Sequence, residues 1–323
     1  MTIIEKAVDK LASEKRETRA VESGGEVDSG QERLVQTAEE KGSAKAAKPD
    51  VAGANFGRAG VDIREPSQGE RQPDIAFADL GLEGVVSPEG GRSRLDEEYR
   101  MIKRPILVKA FSGEFKTSQP LNLVMVTSAL SGEGKTFTTM NLAISIAMEM
   151  DRTVLLIDAD LAKPSMSRLI GISDRPGFTE CLKDDRIDIG QYMLRTDVPK
   201  LTVLPAGKRN NRATELLASK SMTARLQELS ARYSDRIVLF DSPPLLATSE
   251  ATVLASHMGQ VAMVVEYGAT PQLLVREALG HLKNKDAVSL ILNKTRDDFL
   301  LNSVGGYGYG YGKGYGYGAY GER

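Results

Sequence analysis

Nine consecutive residues, Ser128-Ala-Leu-Ser-Gly-Glu-Gly-Lys-Thr136, carry the clearest chemistry in the sequence. Glycines at 132 and 134 let the backbone curl until successive N–H groups face inward, as a bound polyphosphate requires. Lys135 supplies a cation for the outer phosphates and Thr136 a hydroxyl for Mg²⁺. An apolar run over 121–127 enters this segment. A helical pattern leaves it, with Asn141, Leu142, Ala143, Ile146 and Ala147 on the inner face. The helix therefore aims its positive end at the same anion. Ser131, Gly132, Glu133, Gly134, Lys135, Thr136 and Phe137 form the candidate nucleotide site, joined by Asn293 at the end of the last apolar run. Ala129 stands where the usual pattern opens with glycine.

Three aspartates belong to the same chemistry. Asp241 closes the buried run 236–241 and suits an Mg²⁺ ion on a polyphosphate; the competing role is a cap for the next turn, which Pro243 and Pro244 stiffen. Asp158 and Asp160 end a second run, 153–158. Alternate residues of an extended chain face one way, so both carboxylates are expected to point at one metal–phosphate centre. One would help hold Mg²⁺ while the other takes the proton of an attacking hydroxyl; a phenol, with a pKa near 10, needs such a base. Against this, one of the pair is simply a turn residue. Lys135, Asp158 and Asp160 are the candidate catalytic residues, and Thr136, Asp158 and Asp241 the candidate metal ligands.

The elements that must position these groups follow from the apolar pattern. Strands are expected at 121–127, 153–158, 201–204, 236–241, 260–266 and 288–293, with helices at 135–150, 213–232, 250–256 and 272–283. Strands apolar on both faces that alternate with helices make an α/β fold, a mostly parallel sheet covered on both sides, with ligands at the carboxyl ends of its strands. The domain is expected over 95–304 and opens on a charged helix in which Glu97, Arg100 and Lys103 recur at helical spacing.

Residues 1–94 are rich in Glu, Lys, Gly, Ser and Ala and read as a largely disordered arm. Ile3, Ile4, Ala7, Val8 and Leu11 share one helical face, either a short docking helix or a transient one. Ile75, Phe77, Leu80, Leu82, Val85 and Val86 form a second apolar island suited to packing on the domain. At the other end, 305–323 places glycine at nearly alternate positions and reads as a flexible tail. It holds Tyr307, Tyr309, Tyr311, Tyr315, Tyr317 and Tyr320, six of the chain's ten tyrosines, which no packing role explains.

A net charge of −2 provides no field to recruit nucleic acid, and one cysteine, Cys181, builds neither a disulfide framework nor a cysteine cluster. No apolar run reaches the length of a membrane span, so a cytoplasmic protein is expected, held at the membrane by a partner.

Taken in order, Ser128–Thr136, Leu155–Pro164 and Ile237–Pro244 resemble the Walker A, family-specific second Walker and Walker B segments of the bacterial tyrosine kinases of capsular and extracellular polysaccharide synthesis. The helix at Glu97–Lys103 is similar to the one through which those kinases form rings, and the tail to their autophosphorylated tyrosine cluster, closest to the autokinases that accompany exosortase systems. The resemblance implies a P-loop fold, ATP and Mg²⁺, and transfer of phosphate to the six tail tyrosines within a ring-shaped homo-oligomer held by Glu97, Arg100 and Lys103. It also implies a separate transmembrane polysaccharide co-polymerase as activator, a tyrosine phosphatase, and a peripheral place at the inner membrane. Two positions depart from the family: Ala162 and Lys103 stand where arginine is usual. From Phe299 the tail spans about 80 Å fully extended and about 27 Å as a coil, enough to reach a neighbouring copy.

Rival functions meet specific obstacles. Partition and division-site ATPases carry a signature lysine where this chain has Ala129 and Leu130; a GTPase would want Asp where Asn293-Lys-Thr-Arg296 ends in arginine. A non-catalytic scaffold with a self-associating Gly/Tyr tail remains the alternative of a different class.

Overall fold

Every strand position in Leu123–Ser128 is buried, because successive side chains of an extended chain feed opposite faces of a sheet covered on both sides. Leu123 and Met125 join Leu155, Ile157, Val238 and Phe240 in one apolar cluster. Val124 and Val126 join Leu156, Ile237 and Leu239 in the other. The computed structural model describes residues 73–86, 93–115, 117–232 and 235–295. The island at Ile3–Leu11 and the tyrosine cluster lie outside them.

In chain order the elements are α1 (Arg94–Phe111), β1 (Leu123–Ser128), α2 (Lys135–Ala147), β2 (Thr153–Asp158), α3 (Ser165–Leu169), α4 (Phe178–Lys183), β3 (Leu194–Arg195), β4 (Leu201–Leu204), α5 (Ala213–Leu217), α6 (Lys220–Arg232), β5 (Arg236–Asp241), α7 (Ser249–Ala255), β6 (Gln260–Glu266), α8 (Gln272–Gly280) and β7 (Val288–Asn293). The sheet runs β3-β4-β2-β5-β1-β6-β7. All pairs are parallel except β3 with β4. Because β5 lies between β1 and β2, its final residue, Asp241, registers with Val126 on one side and Asp158 on the other. The phosphate loop and both aspartate runs thus end on one edge of the sheet.

Three features differ from the sequence reading, and a fourth follows it. The two-residue β3 is too short to leave a periodic signal. The expected helix over 213–232 breaks at Ser219, whose hydroxyl donates to the Leu216 carbonyl (2.6 Å) and accepts from the Met222 N–H (3.1 Å), ending α5 and capping α6. α1 begins in a capping box between Ser93 and Asp96 and continues through Pro105 to Phe111. The second apolar island of the expected arm packs on the domain, as its composition suggests: residues 73–86 form a strap. Ile75 bridges Thr196 in parallel, the Asp197 carboxylate accepts from the Phe77 and Ala78 N–H groups at 2.9 and 3.1 Å, and Ile75, Phe77 and Val86 are buried.

Lys103 acts within the chain. It is only 7% exposed, and its ammonium donates to the Ser145 carbonyl at 2.7 Å and pairs with Glu149 at 2.7 Å, fastening α1 to the carboxyl end of α2. A cation is favoured there by the helix dipole. Arg100 pairs with Glu97 on the exposed face of the same helix. Lys103→Ala is expected to lower stability by about 2 kcal/mol and the melting temperature by about 4–8 °C. The shift should be equal at low and high protein concentration in thermal scans. A shift that vanished on dilution would instead place Lys103 between copies.

Candidate active site

At the end of β1 the backbone turns through Gly132 and Gly134, both at positive φ (91° and 93°). Gly134 is doubly required. It caps α2 in the left-handed region, and a Cβ built on it would lie 2.2 Å from the Asn293 amide nitrogen. Asn293 itself donates to the Glu133 carbonyl at 2.8 Å. Lys294 donates to the Gly132 carbonyl at 2.8 Å while pairing with Glu266. The end of β7 therefore braces the loop from outside. Glu133 braces it from within: its buried carboxylate accepts from the Leu130 N–H (2.6 Å) and the Thr270 hydroxyl. Ala129 is fully buried at negative φ, so the position needs no glycine.

Thr136, on the first turn of α2, donates to Asp241 Oδ2 at 2.8 Å. The Thr139 hydroxyl lies 3.4 Å from Oδ1. Burial pushes the Asp241 carboxyl above the usual carboxylate range, and Lys135 and the Thr136 hydrogen bond pull it back. Burial, then the neighbouring Asp241 charge, pushes Asp158 up as well. Asp158 Oδ2 accepts from both the Ser167 N–H (2.8 Å) and hydroxyl (2.7 Å), and Oδ1 from the Asp160 N–H (3.2 Å).

A cavity of about 380 Å³ lies over this edge. Its polar side is Ser131, Gly132, Gly134, Lys135 and Thr136; Phe137 and Asp160 also line it. Leu169, Pro243, Pro244 and Ala247 add apolar surface to the same lining, beside Lys163, Ser165 and Thr248. Asp158 and Asp160 do not share this space as the alternation of an extended chain predicts. β2 ends at Asp158, whose oxygens hold the following turn, while Asp160 reaches the cavity. Asp160 Oδ1 accepts from the Lys163 N–H at 2.9 Å; among the described residues Oδ2 accepts no hydrogen bond. Burial raises this carboxyl too, opposed by the Lys163 bond and by the charges of Lys135, Lys163 and Arg168.

The donor set fits Mg²⁺. Thr136 offers a hard oxygen in the cavity lining and Asp241 one in the buried layer behind it, joined to Thr136 by a hydrogen bond, and among the described residues no three acidic, His or Cys groups converge as an all-protein cage. An ion held partly by phosphate oxygens and water needs no more. No spacing or motif points to Ser167, nine residues beyond the carboxylate it holds, or to Arg209, which donates to the Ala162 carbonyl at 2.9 Å. An arginine therefore approaches from another segment the position that lacks one.

The family described as an AAA domain matches residues 122–268. Tyrosine-protein kinase YwqD of Bacillus subtilis is 32% identical over 204 residues, 62% of this chain and 82% of that protein. The chain belongs to the bacterial tyrosine-kinase family. The succinoglycan biosynthesis transport protein ExoP of Rhizobium meliloti is 34% identical over 62% of this chain, although the chain spans only 25% of ExoP. The solved BceF tyrosine kinase domain superposes with a TM-score of 0.51 at 27% identity, covering 61% of this chain and 76% of that one. Among the described residues no helix is long and apolar enough to cross a membrane.

The raised carboxyls set a pH signature. A carboxyl whose folded pKa exceeds its unfolded value binds more protons in the native state between the two. Stability should therefore fall as pH rises from about 4 towards neutrality, where Asp158 and Asp241 become charged in a buried site. Asp241→Asn is expected to flatten that slope and raise the melting temperature of the nucleotide-free protein near pH 7.5, while weakening Mg²⁺-dependent nucleotide binding. A slope identical to wild type would contradict the assignment.

Proposed function

We propose that the chain is an ATP-dependent protein tyrosine autokinase that phosphorylates its own C-terminal tyrosine cluster and thereby regulates exopolysaccharide synthesis or export. One observation carries this reading: one cavity is lined by the phosphate loop, by the apolar Leu169, Pro243, Pro244 and Ala247, and by Asp160, whose Oδ2 accepts no hydrogen bond among the described residues. A nucleotide switch needs the loop. A tyrosine acceptor gives the other two parts a use.

In this reading the loop N–H groups, Lys135 and the α2 dipole bind the phosphates of ATP. Thr136 and Asp241 hold Mg²⁺, which when bound supplies positive charge at the phosphate oxygens. Asp158 keeps the turn after β2 in place, so that Asp160 is presented to the acceptor. The aromatic ring of the acceptor rests on Leu169, Pro243, Pro244 and Ala247. Asp160 Oδ2 orients the phenol and takes its proton as the tyrosyl oxygen attacks the terminal phosphorus and ADP leaves. A raised carboxyl is the better base for this task.

The acceptors are Tyr307, Tyr309, Tyr311, Tyr315, Tyr317 and Tyr320, presented by a neighbouring copy in a homo-oligomer whose contact includes Glu97 and Arg100 on the exposed face of α1. A shared assembly raises the effective concentration of the tail at the site. Full phosphorylation adds about −9 to −12 charges to the tail, so that it repels itself, leaves acidic surfaces and loosens the ring. A separate membrane co-polymerase localises and activates the kinase at the cytoplasmic side of the inner membrane, and a tyrosine phosphatase resets it.

With labelled ATP and Mg²⁺, wild type should incorporate acid-stable phosphate on tyrosine. Lys135→Met should abolish it. Asp160→Asn should reduce turnover by about 10²–10⁴-fold with nucleotide affinity retained, the split expected of a base. Loss of affinity and turnover together would return Asp160 to a structural role. No phosphotyrosine in wild type, with or without a membrane fraction, would refute the kinase reading.

A further inference from the structure

The nucleotide cavity has one wall that depends on a distant part of the chain. Phe137, on the first turn of α2, lines the cavity beside the phosphate loop. Its ring is backed by Gly84 of the N-terminal strap: a Cβ built at Gly84 would lie 3.3 Å from Phe137 Cζ. Gly84 also adopts a φ of 74°, a conformation that favours glycine. Two residues further on, the buried Val86 N–H donates to Asn141 Oδ1 at 2.7 Å. The other end of that amide donates back to the Phe137 carbonyl at 3.1 Å. Asn141 is fully buried, so it is a rigid link between strap and helix. Both groups that the strap touches, the Phe137 ring and the Asn141 amide, lie within the first two turns of the helix that binds phosphate.

The strap is fixed at its far end as well. Asp74 accepts from the Arg195 N–H at 3.0 Å. The Ile75 N–H donates to the Arg195 carbonyl at 3.1 Å, and the Asp197 N–H to the Ile75 carbonyl at 3.0 Å. These bonds attach residues 74–75 to the end of β3 and to the segment that follows it, and residue 73 continues directly into the N-terminal arm. A segment anchored at both ends, with a glycine seated against a cavity-lining ring, does more than cover apolar surface.

We propose that residues 84–86 belong to the nucleotide site: Gly84, Val86 and Asn141 are positioning residues that hold Phe137 against the bound nucleotide. The proposal rests on the reading of this cavity as a nucleotide site. Its consequence is reciprocal. If a docked strap improves nucleotide binding, nucleotide must tighten the strap by the same factor. The arm, covalently joined to the strap, thereby gains a route to the site.

The test is amide hydrogen exchange on the full-length wild-type chain, with and without ADP and Mg²⁺. Saturating ADP should slow exchange in peptides covering 82–86, the Val86 amide above all, by about fivefold or more, together with the phosphate-loop peptide 129–136. Protection of the loop with no change at 82–86 would overturn the proposal. Protection of neither would refute the nucleotide reading on which it rests. Gly84→Ala, which presses on Phe137 and strains the turn, should weaken ADP binding by about fivefold with the circular dichroism spectrum retained. Wild-type affinity in that folded variant would also count against it.

Discussion

The pairing of β5 with β1 on one side and β2 on the other is the constraint on which the site depends. It places Asp241 in register with Val126 and with Asp158, so a carboxylate with no contact to water stands between the phosphate loop and the second aspartate run. The Thr136–Asp241 hydrogen bond at 2.8 Å then closes the first turn of α2 onto the neighbouring strand. A one-residue slip in any of these pairings would turn Asp241 to the opposite face of the sheet. Because both faces are lined with Leu, Ile, Val, Met and Phe, such a slip would also exchange the two apolar clusters. Burial of the sheet therefore enforces the geometry of the site.

That geometry has a cost. Asp158 and Asp241 are fully buried, and both carboxyls are raised by desolvation. The protein tolerates this because each carboxylate has partners: two hydroxyls near Asp241, and an N–H pair plus a hydroxyl on Asp158. Asp158 is thereby committed to structure, and Asp160 is left as the carboxylate that can meet a substrate. The phosphate loop shows the same division of labour. Glu133, Asn293 and Lys294 hold its shape from the side away from the cavity, so its remaining N–H groups need not rearrange when an anion arrives. Preorganisation of this kind is what makes fixed dipoles effective on a developing charge.

The parallel core was legible because its strands carry apolar residues on both faces and its loops carry glycine, lysine and aspartate at their ends. What sequence reading missed is local competition and long-range contact. Ser219 splits one helix into two through a pair of side-chain hydrogen bonds that no periodicity reports. The Asp158/Asp160 pair was read by strand alternation, but the strand ends at Asp158, and Ser167 then captures that carboxylate. Lys103 fits an exposed charge stripe by spacing, yet its ammonium finds the carboxyl end of α2. The strap illustrates both sides. Its apolar residues were visible as an island, while its place in the fold depends on Asp197 and Asn141, more than fifty residues away.

A site that sends phosphate to a tyrosine on a tethered tail can serve its own chain or its neighbour's, and the proposed arrangement requires the neighbour's. The most direct measurement mixes a full-length Lys135→Met chain, which keeps its tyrosines, with an active chain ending before Gly305, which has none of the cluster. Phosphotyrosine on Tyr307–Tyr320 of the inactive chain, dependent on ATP and Mg²⁺, is the expected result. An unlabelled inactive chain, under conditions where the full-length active protein phosphorylates itself, would contradict transfer between copies.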